Sequence, residues 1–291
     1  MTRIISSLAE IAPSYRAAFV DLWGCVHDGV RAFPEAVAAL RAFADAGGIV
    51  VLLTNSPRPR TGVMAQLEQL GVPEDCWDAI ATSGDSARAA MFRGMVGRKV
   101  WSIGEFGDFD FFEAPAIVAD PLPIERVPLD QAEGIVALGP EDPFADPAVY
   151  RPQFLAAKQR GLKLLCANPD IVVDRGERRE WCAGALAALY TEMGGESLYF
   201  GKPHPPIYDL ARRRLARIAD IPDEEILCIG DGVGTDILGA QGEGLDSLFL
   251  AGGLAARDTG TGPTGGPDER RLLGYLEAEG VTPDYVMGRL R

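Results

Sequence analysis

Asp21, Thr54, Lys202, Asp231 and Asp236 are the side chains a phosphoryl-transfer site would need, and they fall in four short segments. These are Asp21-Leu22-Trp23-Gly24, Leu53-Thr54-Asn55-Ser56, Gly201-Lys202-Pro203 and Gly230-Asp231-Gly232-Val233-Gly234-Thr235-Asp236. A carboxylate such as Asp21 can attack phosphorus in line and form an aspartyl-phosphate. The Thr54 hydroxyl and the amides after it can hold phosphoryl oxygens. Lys202 can neutralise the mutual repulsion of Asp21 and phosphate. Gly232 and Gly234 would let the backbone fold tightly enough to bring Asp231 and Asp236 to one hard divalent cation, for which magnesium is suited. Singly, each would be an ordinary turn aspartate, helix cap or loop lysine; all four segments in this order are uncommon.

Such residues need strand ends to converge. Ala17 to Val20 is a short apolar run ending at Asp21, read as a buried parallel strand. Pro34 opens a helical pattern with Val37, Leu40, Phe43 and Ala44 on one face, stopped by Gly47-Gly48. Ile49 to Leu53 is a second buried strand ending at Thr54, followed by a helix from about Thr61 to Leu70. Strand, helix, strand, helix implies right-handed crossovers and a parallel sheet. The rhythm returns late, with a helix over Tyr208 to Ala219 and strands over Glu225 to Ile229 and Ser247 to Leu250. Ligands of such sheets bind beyond the carboxyl ends of the strands, where Asp21, Thr54 and Asp231 would all lie.

Between about Ser83 and Glu196 the chain carries its own strands (Lys99 to Ile103, Gly134 to Leu138, Leu162 to Cys166) and helices (Ala148 to Gln159, Cys182 to Met193). The expected fold class is therefore α/β, a three-layer Rossmann-like parallel-sheet core with an inserted α/β unit. Residues 1–83 and 197–291 would form the core and 84–196 the insertion. Gly252-Gly253 and the stretch from Thr259 to Pro267 read as a flexible loop.

A net charge of −14 argues against nonspecific binding to nucleic acid or anionic membranes, so a phosphorylated substrate has to be attracted locally. Cys25, Cys76, Cys166, Cys182 and Cys228 are odd in number and scattered, which fits reduced thiols in a cytoplasm better than disulfides or a zinc site. The first residues lack the apolar core of a signal peptide, and no apolar run is long enough to cross a bilayer. A cytoplasmic location is expected.

With its motifs in this order, the long insertion between the second and third, and a closing Thr282-Pro283-Asp284-Tyr285-Val286, the chain resembles the class IIA hydrolases of the haloacid dehalogenase superfamily. These include nucleotide, sugar-phosphate and pyridoxal-phosphate phosphatases. The resemblance implies Asp21 as nucleophile, Thr54 as the phosphate hydroxyl, Asn55 in the same phosphate loop and Lys202 as the charge-balancing lysine. It implies Mg2+ held by Asp21, the Trp23 carbonyl and Asp231, with Asp236 assisting. The insertion would be the α/β cap that chooses the substrate, a small phosphorylated metabolite. Asn168-Pro169-Asp170 resembles the cap segment facing the phosphate, so Asn168 and Asp170 are expected to bind substrate. In some relatives the cap mediates a homodimer, which the sequence leaves open here.

Trp23 departs from that pattern. The phosphatases have aspartate there, to protonate the leaving oxygen and then activate water, and only the backbone contribution survives a tryptophan. General acid–base catalysis is worth about 10²–10⁴-fold, so weak turnover is compatible with the change. His27 and Asp28 are close enough in sequence to replace the proton shuttle, although structural hydrogen bonding is the simpler role for both; His204 reads as a loop histidine and Cys25 as a small buried residue. Two other readings stay open. One is a dehalogenase-like hydrolase using Asp21, since a halide leaves unprotonated; the other is a noncatalytic phosphometabolite-binding protein.

Overall fold

A computed structural model describes residues 2–105, 110–115, 117–176, 178–263 and 265–291. The chain runs β1 (Arg3–Ile4), β2 (Ala17–Val20), α1 (Pro34–Asp45), β3 (Ile49–Thr54), α2 (Arg60–Leu70), β4 (Ala79–Thr82) and α3 (Ser83–Phe92). A second group follows: β5 (Lys99–Ile103), β6 (Glu125–Arg126), β7 (Gly134–Ala137), α4 (Arg151–Gln159), β8 (Lys163–Cys166), β9 (Val172–Arg175), β10 (Arg178–Trp181), α5 (Ala183–Glu192) and β11 (Glu196–Tyr199). The chain closes with α6 (Pro205–Leu215), β12 (Ile226–Gly230), α7 (Leu238–Glu243), β13 (Asp246–Leu250), α8 (Glu269–Glu279) and β14 (Tyr285–Met287).

Seven strands form one parallel sheet in the order β1-β14-β13-β12-β2-β3-β4. Its central strands read as unbroken apolar runs because both faces are covered. Successive residues of β2 point to opposite faces: Ala18 and Val20 join a core with Leu40 and Phe43 of α1, whereas Ala17 and Phe19 join one with Ile207 and Tyr208 of α6. Val50 and Leu52 of β3 divide from Val51 and Leu53 in the same way. The three-layer α/β architecture follows from that two-sided burial.

A second parallel sheet has the order β11-β8-β7-β5-β6, and β9 with β10 makes a separate antiparallel hairpin. Ile135 and Ala137 of β7 pack with Phe154 and Leu186 of α4 and α5, while Val136 packs with Met91 and Phe92 of α3. α3 thus opens directly after the last core strand and covers the inserted sheet.

Several boundaries differ from expectation. The return to the core expected at 197 falls inside β11, which pairs with β8 and carries Leu198 into the insertion's own core. The helix expected over 208–219 spans Pro205–Leu215, because Pro205 and Pro206 occupy the first turn, where no amide donor is needed. The helix expected from 148 begins at Arg151 after a 3-10 turn over Pro147–Tyr150. The stretch read as a flexible loop is folded where it starts: Thr259 is fully buried and its hydroxyl donates to backbone carbonyls at Ala251 (3.1 Å) or Ala255 (2.9 Å). Thr264, within that stretch, lies outside the described residues. Among the described residues no helix is long and apolar enough to cross a membrane.

Candidate active site

The carboxyl ends of β2, β3, β12, β13 and β14 converge on a cleft of about 170 Å³. Asp21 follows β2 directly, and its amide continues the ladder to the Ile229 carbonyl (2.8 Å). Thr54, the last residue of β3, is buried and accepts a bond from the Ser56 amide (3.2 Å). Asp231 follows β12, where its Oδ2 accepts the Leu254 amide (2.9 Å). Gly24 and Gly253 enclose this carboxylate from two sides, and a Cβ at either would collide with it. Gly24 also has a φ of +76°, so its position excludes other residues twice over.

Lys202 is buried and forms two ion pairs, to Asp21 Oδ1 at 2.5 Å and Asp236 Oδ1 at 2.6 Å. Asn55 fastens its backbone: the Lys202 amide donates to Asn55 Oδ1 (2.7 Å), and Asn55 Nδ2 donates to the Lys202 carbonyl (3.1 Å) and to Asp170 Oδ1 (2.8 Å). The side chain of Asn55 is therefore committed to positioning, and it does not line the cleft. Asp170 does line it. Asn168 caps the Asp170 amide (3.0 Å) and borders a neighbouring cavity of about 250 Å³. Asp236 turns its second oxygen to the Gly232 amide (3.0 Å).

Three buried carboxylates, Asp21, Asp231 and Asp236, thus face the single ammonium of Lys202, and two positive charges are missing. Burial, the largest influence, pushes the Asp21 carboxyl up to about 7 despite Lys202, and the Asp236 charge adds to it. The Asp231 carboxyl is pushed far above the ordinary range by burial and then by Asp21 and Asp236. Ligand atoms of Asp21, Asp231 and Cys25 lie within 4.8 Å of one another. This donor set fits a divalent cation: two adjacent carboxylate oxygens without enough counter-charge. Asp236 belongs to the lysine side of the cluster. Cys25 is buried as expected, but its place beside both carboxylates was not legible, because nothing in a residue four positions after Asp21 marks the turn that returns it there.

Trp23 sits in a tight turn, with the Gly24 amide bonded to the His27 carbonyl (2.8 Å) and the Phe33 amide to the Val26 carbonyl (2.8 Å). Its indole covers Gly29, meets the His27 ring edge-on at 5.2 Å and lies under the Arg175 guanidinium at 5.0 Å. The β9–β10 turn touches the same segment, its Gly176 amide donating to the Asp28 carbonyl (3.1 Å). Trp23 is therefore the surface on which this hairpin rests.

Neither neighbour supplies the missing acid. His27 Nδ1 accepts the Gly29 amide (3.0 Å), and burial pushes the imidazole down to about 4, leaving it neutral near pH 7. Asp28 Oδ1 accepts the Val30 and Arg31 amides (2.9 and 2.8 Å), which hold its carboxyl below the usual range although partial burial opposes them. It stays ionised and has no proton to give. His204 stacks on Tyr199 at 4.7 Å and does not line the cleft. Sequence reasoning missed Arg289, which follows β14 and lines the cleft; it lies just beyond the Thr282 to Val286 segment.

Residues 18–115 match the family described as haloacid dehalogenase-like hydrolase, and residues 199–270 match a family described as HAD-hydrolase-like. A solved hydrolase of the haloacid dehalogenase-like family from Brucella suis 1330 is 37% identical, with a TM-score of 0.85 over 99% of this chain and 100% of that one. The ribonucleotide monophosphatase NagD of Escherichia coli (strain K12) is 26% identical over 236 residues, covering 80% of this chain and 86% of that protein. The 5'-nucleotidase YutF of Bacillus subtilis (strain 168) is 24% identical over 250 residues, 84% of this chain and 90% of that protein.

Proposed function

Because this chain belongs to the haloacid dehalogenase-like hydrolases, as a phosphatase of class IIA, we propose that it hydrolyses small phosphate monoesters in a magnesium-dependent reaction through an aspartyl-phosphate on Asp21. The observation that carries this reading is the buried Asp21–Asp231 pair whose charge Lys202 alone does not balance. Displacement of a halide from carbon needs no such cation, so the pair speaks against the dehalogenase alternative.

Asp21 would form the new bond to phosphorus as the ester oxygen departs with its electron pair. Lys202 holds Asp21 Oδ1 in place and offsets the negative charge drawn together there. Thr54 and the amides after it would hold the transferred oxygens. Water then attacks phosphorus, the bond to Asp21 breaks and the carboxylate is restored. When bound by Asp21, the Trp23 carbonyl and Asp231, Mg2+ supplies electrostatic stabilisation of the phosphoryl oxygens. We assign residues 84–199 as a cap, with Asp170 facing the phosphate site and Asn168 setting the segment that carries it. NagD and YutF point to phosphorylated metabolites as substrates, and five free buried cysteines accord with a reducing cytoplasm.

The direct test is phosphate release from p-nitrophenyl phosphate after chelation and readdition of magnesium. Recovery with the metal is expected, and full activity in chelator would overturn the reading; no release under any condition would favour a binding protein.

Trp23 makes a second, selective expectation. Without a proton donor, the barrier rises most for esters whose leaving oxygen needs protonation. Aryl and acyl phosphates should therefore react faster than alkyl phosphates. Trp23→Asp should raise the alkyl rate alone, by up to about 10²-fold if part of the acid–base contribution returns. The smaller side chain also vacates the space between Gly29 and Arg175, so unfolding must be followed alongside rate. Equal wild-type rates on aryl and alkyl esters would sink the idea.

A further inference from the structure

We infer that Arg289 anchors the organic part of the substrate, and that this part is short and carries a carboxylate. The inference rests on the phosphatase reading and names the substrate class of the same cleft.

Arg289 stands just beyond the carboxyl end of β14, on the sheet edge that also presents Asp21 and Asp231. Two consecutive glycines seat it beside the chemistry. A Cβ on Gly252 would come within 2.9 Å of Arg289 Cγ, and one on Gly253 would strike the Asp231 carboxylate. The guanidinium lies over the Phe33 ring, 5.4 Å from its centroid, which favours a fixed plane.

Charge accounting singles this arginine out. Lys202 is consumed by Asp21 and Asp236. The cleft acids outside the cation site have partners of their own: Asp174 with Arg179, Asp28 with its turn amides, Asp170 with Asn55. Among the described residues no carboxylate pairs with Arg289, so its charge and its fork of donors are available to a ligand. A guanidinium matches a carboxylate through two parallel hydrogen bonds.

Size and charge narrow the class. The cleft of about 170 Å³ is smaller than the roughly 300–1,000 Å³ typical of sites for drug-sized ligands, which suits a phosphate with only a few further atoms. A second phosphate would bring more negative charge against Asp28, Asp170 and Asp174 than a carboxylate does. Phosphate esters of small hydroxy acids meet both limits.

The test compares phosphoglycolate, ethyl phosphate and ethylene glycol bisphosphate on the wild type, Arg289→Gln and Arg289→Lys. The wild type should favour phosphoglycolate over ethyl phosphate in KM by about 10–100-fold, the range for a charged hydrogen-bonded pair. Arg289→Gln should collapse that ratio, and Arg289→Lys should restore part of it, confirming that the protein is folded. Equal losses on both esters, or preference for the bisphosphate, would overturn the assignment. If the wild type turns over none of them, p-nitrophenyl phosphate decides the phosphatase reading, which fails if that ester too releases no phosphate. Calorimetry on the wild type and Arg289→Gln then decides the anchor separately: tighter binding of phosphoglycolate than of ethyl phosphate, lost in the variant, keeps it, and equal binding rejects it.

Discussion

Asp21→Asn should abolish phosphate release, by about 10⁴-fold or more, while the metal-free protein becomes more stable. The first effect follows from removing the strand-end carboxylate proposed to attack phosphorus; single nucleophile deletions elsewhere cost comparable factors. The second follows from the sign of the burial effect. A carboxyl pushed up to about 7 retains, in the folded state, a proton that the unfolded chain has already lost. The wild type therefore loses stability from this group as pH rises from about 4 to about 7, and an amide escapes that loss. A gain of about 1–3 kcal/mol at neutral pH is expected in chelator, measured by denaturant unfolding. The gain should shrink as pH falls from about 7 and vanish below about 4, where the wild-type group is protonated in both states. Turnover that survives the substitution would remove Asp21 from the mechanism, and a loss of stability would show that the cluster is not overloaded with negative charge.

Lys202→Met should do the reverse to stability. Its ammonium is the only cation paired with Asp21 and Asp236 in the described structure, and Asn55 holds its backbone in place. Breaking a buried pair by removing one partner costs about 3–5 kcal/mol, because the remaining charge is left uncompensated. Activity should fall by at least about 10²-fold, since the phosphate would then approach carboxylates of the same sign. The double variant Lys202→Met/Asp236→Leu removes one of the stranded charges and should recover part of the lost stability without recovering activity. A single variant as stable as the wild type would show that water reaches the cluster and screens it.

Much of this was legible locally. Val20 and Leu53 end apolar runs whose alternate residues must be buried on two faces, so Asp21 and Thr54 fall at strand ends with no tertiary information. The glycines around Asp231 announce a tight turn in the same way. The inserted sheet was visible through its own apolar strands, but not its last strand: the alternation of Glu196–Tyr199 would suit either sheet. The β9–β10 hairpin escaped because Val172–Arg175 and Arg178–Trp181 are mostly polar and half-buried at best.

What the sequence by itself determined is the class of fold, the order of its motifs and the kind of chemistry, since these depend on residue type and short-range periodicity. Only the tertiary structure decided how each polar side chain is used. Asn55 was readable as a phosphate ligand until Lys202, 147 positions away, took its amide oxygen. Trp23 was a missing acid until Arg175 and Gly29 made it a docking surface. Arg289 was one arginine among many until Gly252 and Phe33 fixed its stem and its plane. The physical reason is competition: each donor or acceptor has several chemically equal partners in the chain, and only packing across the strand ends selects which one is within reach.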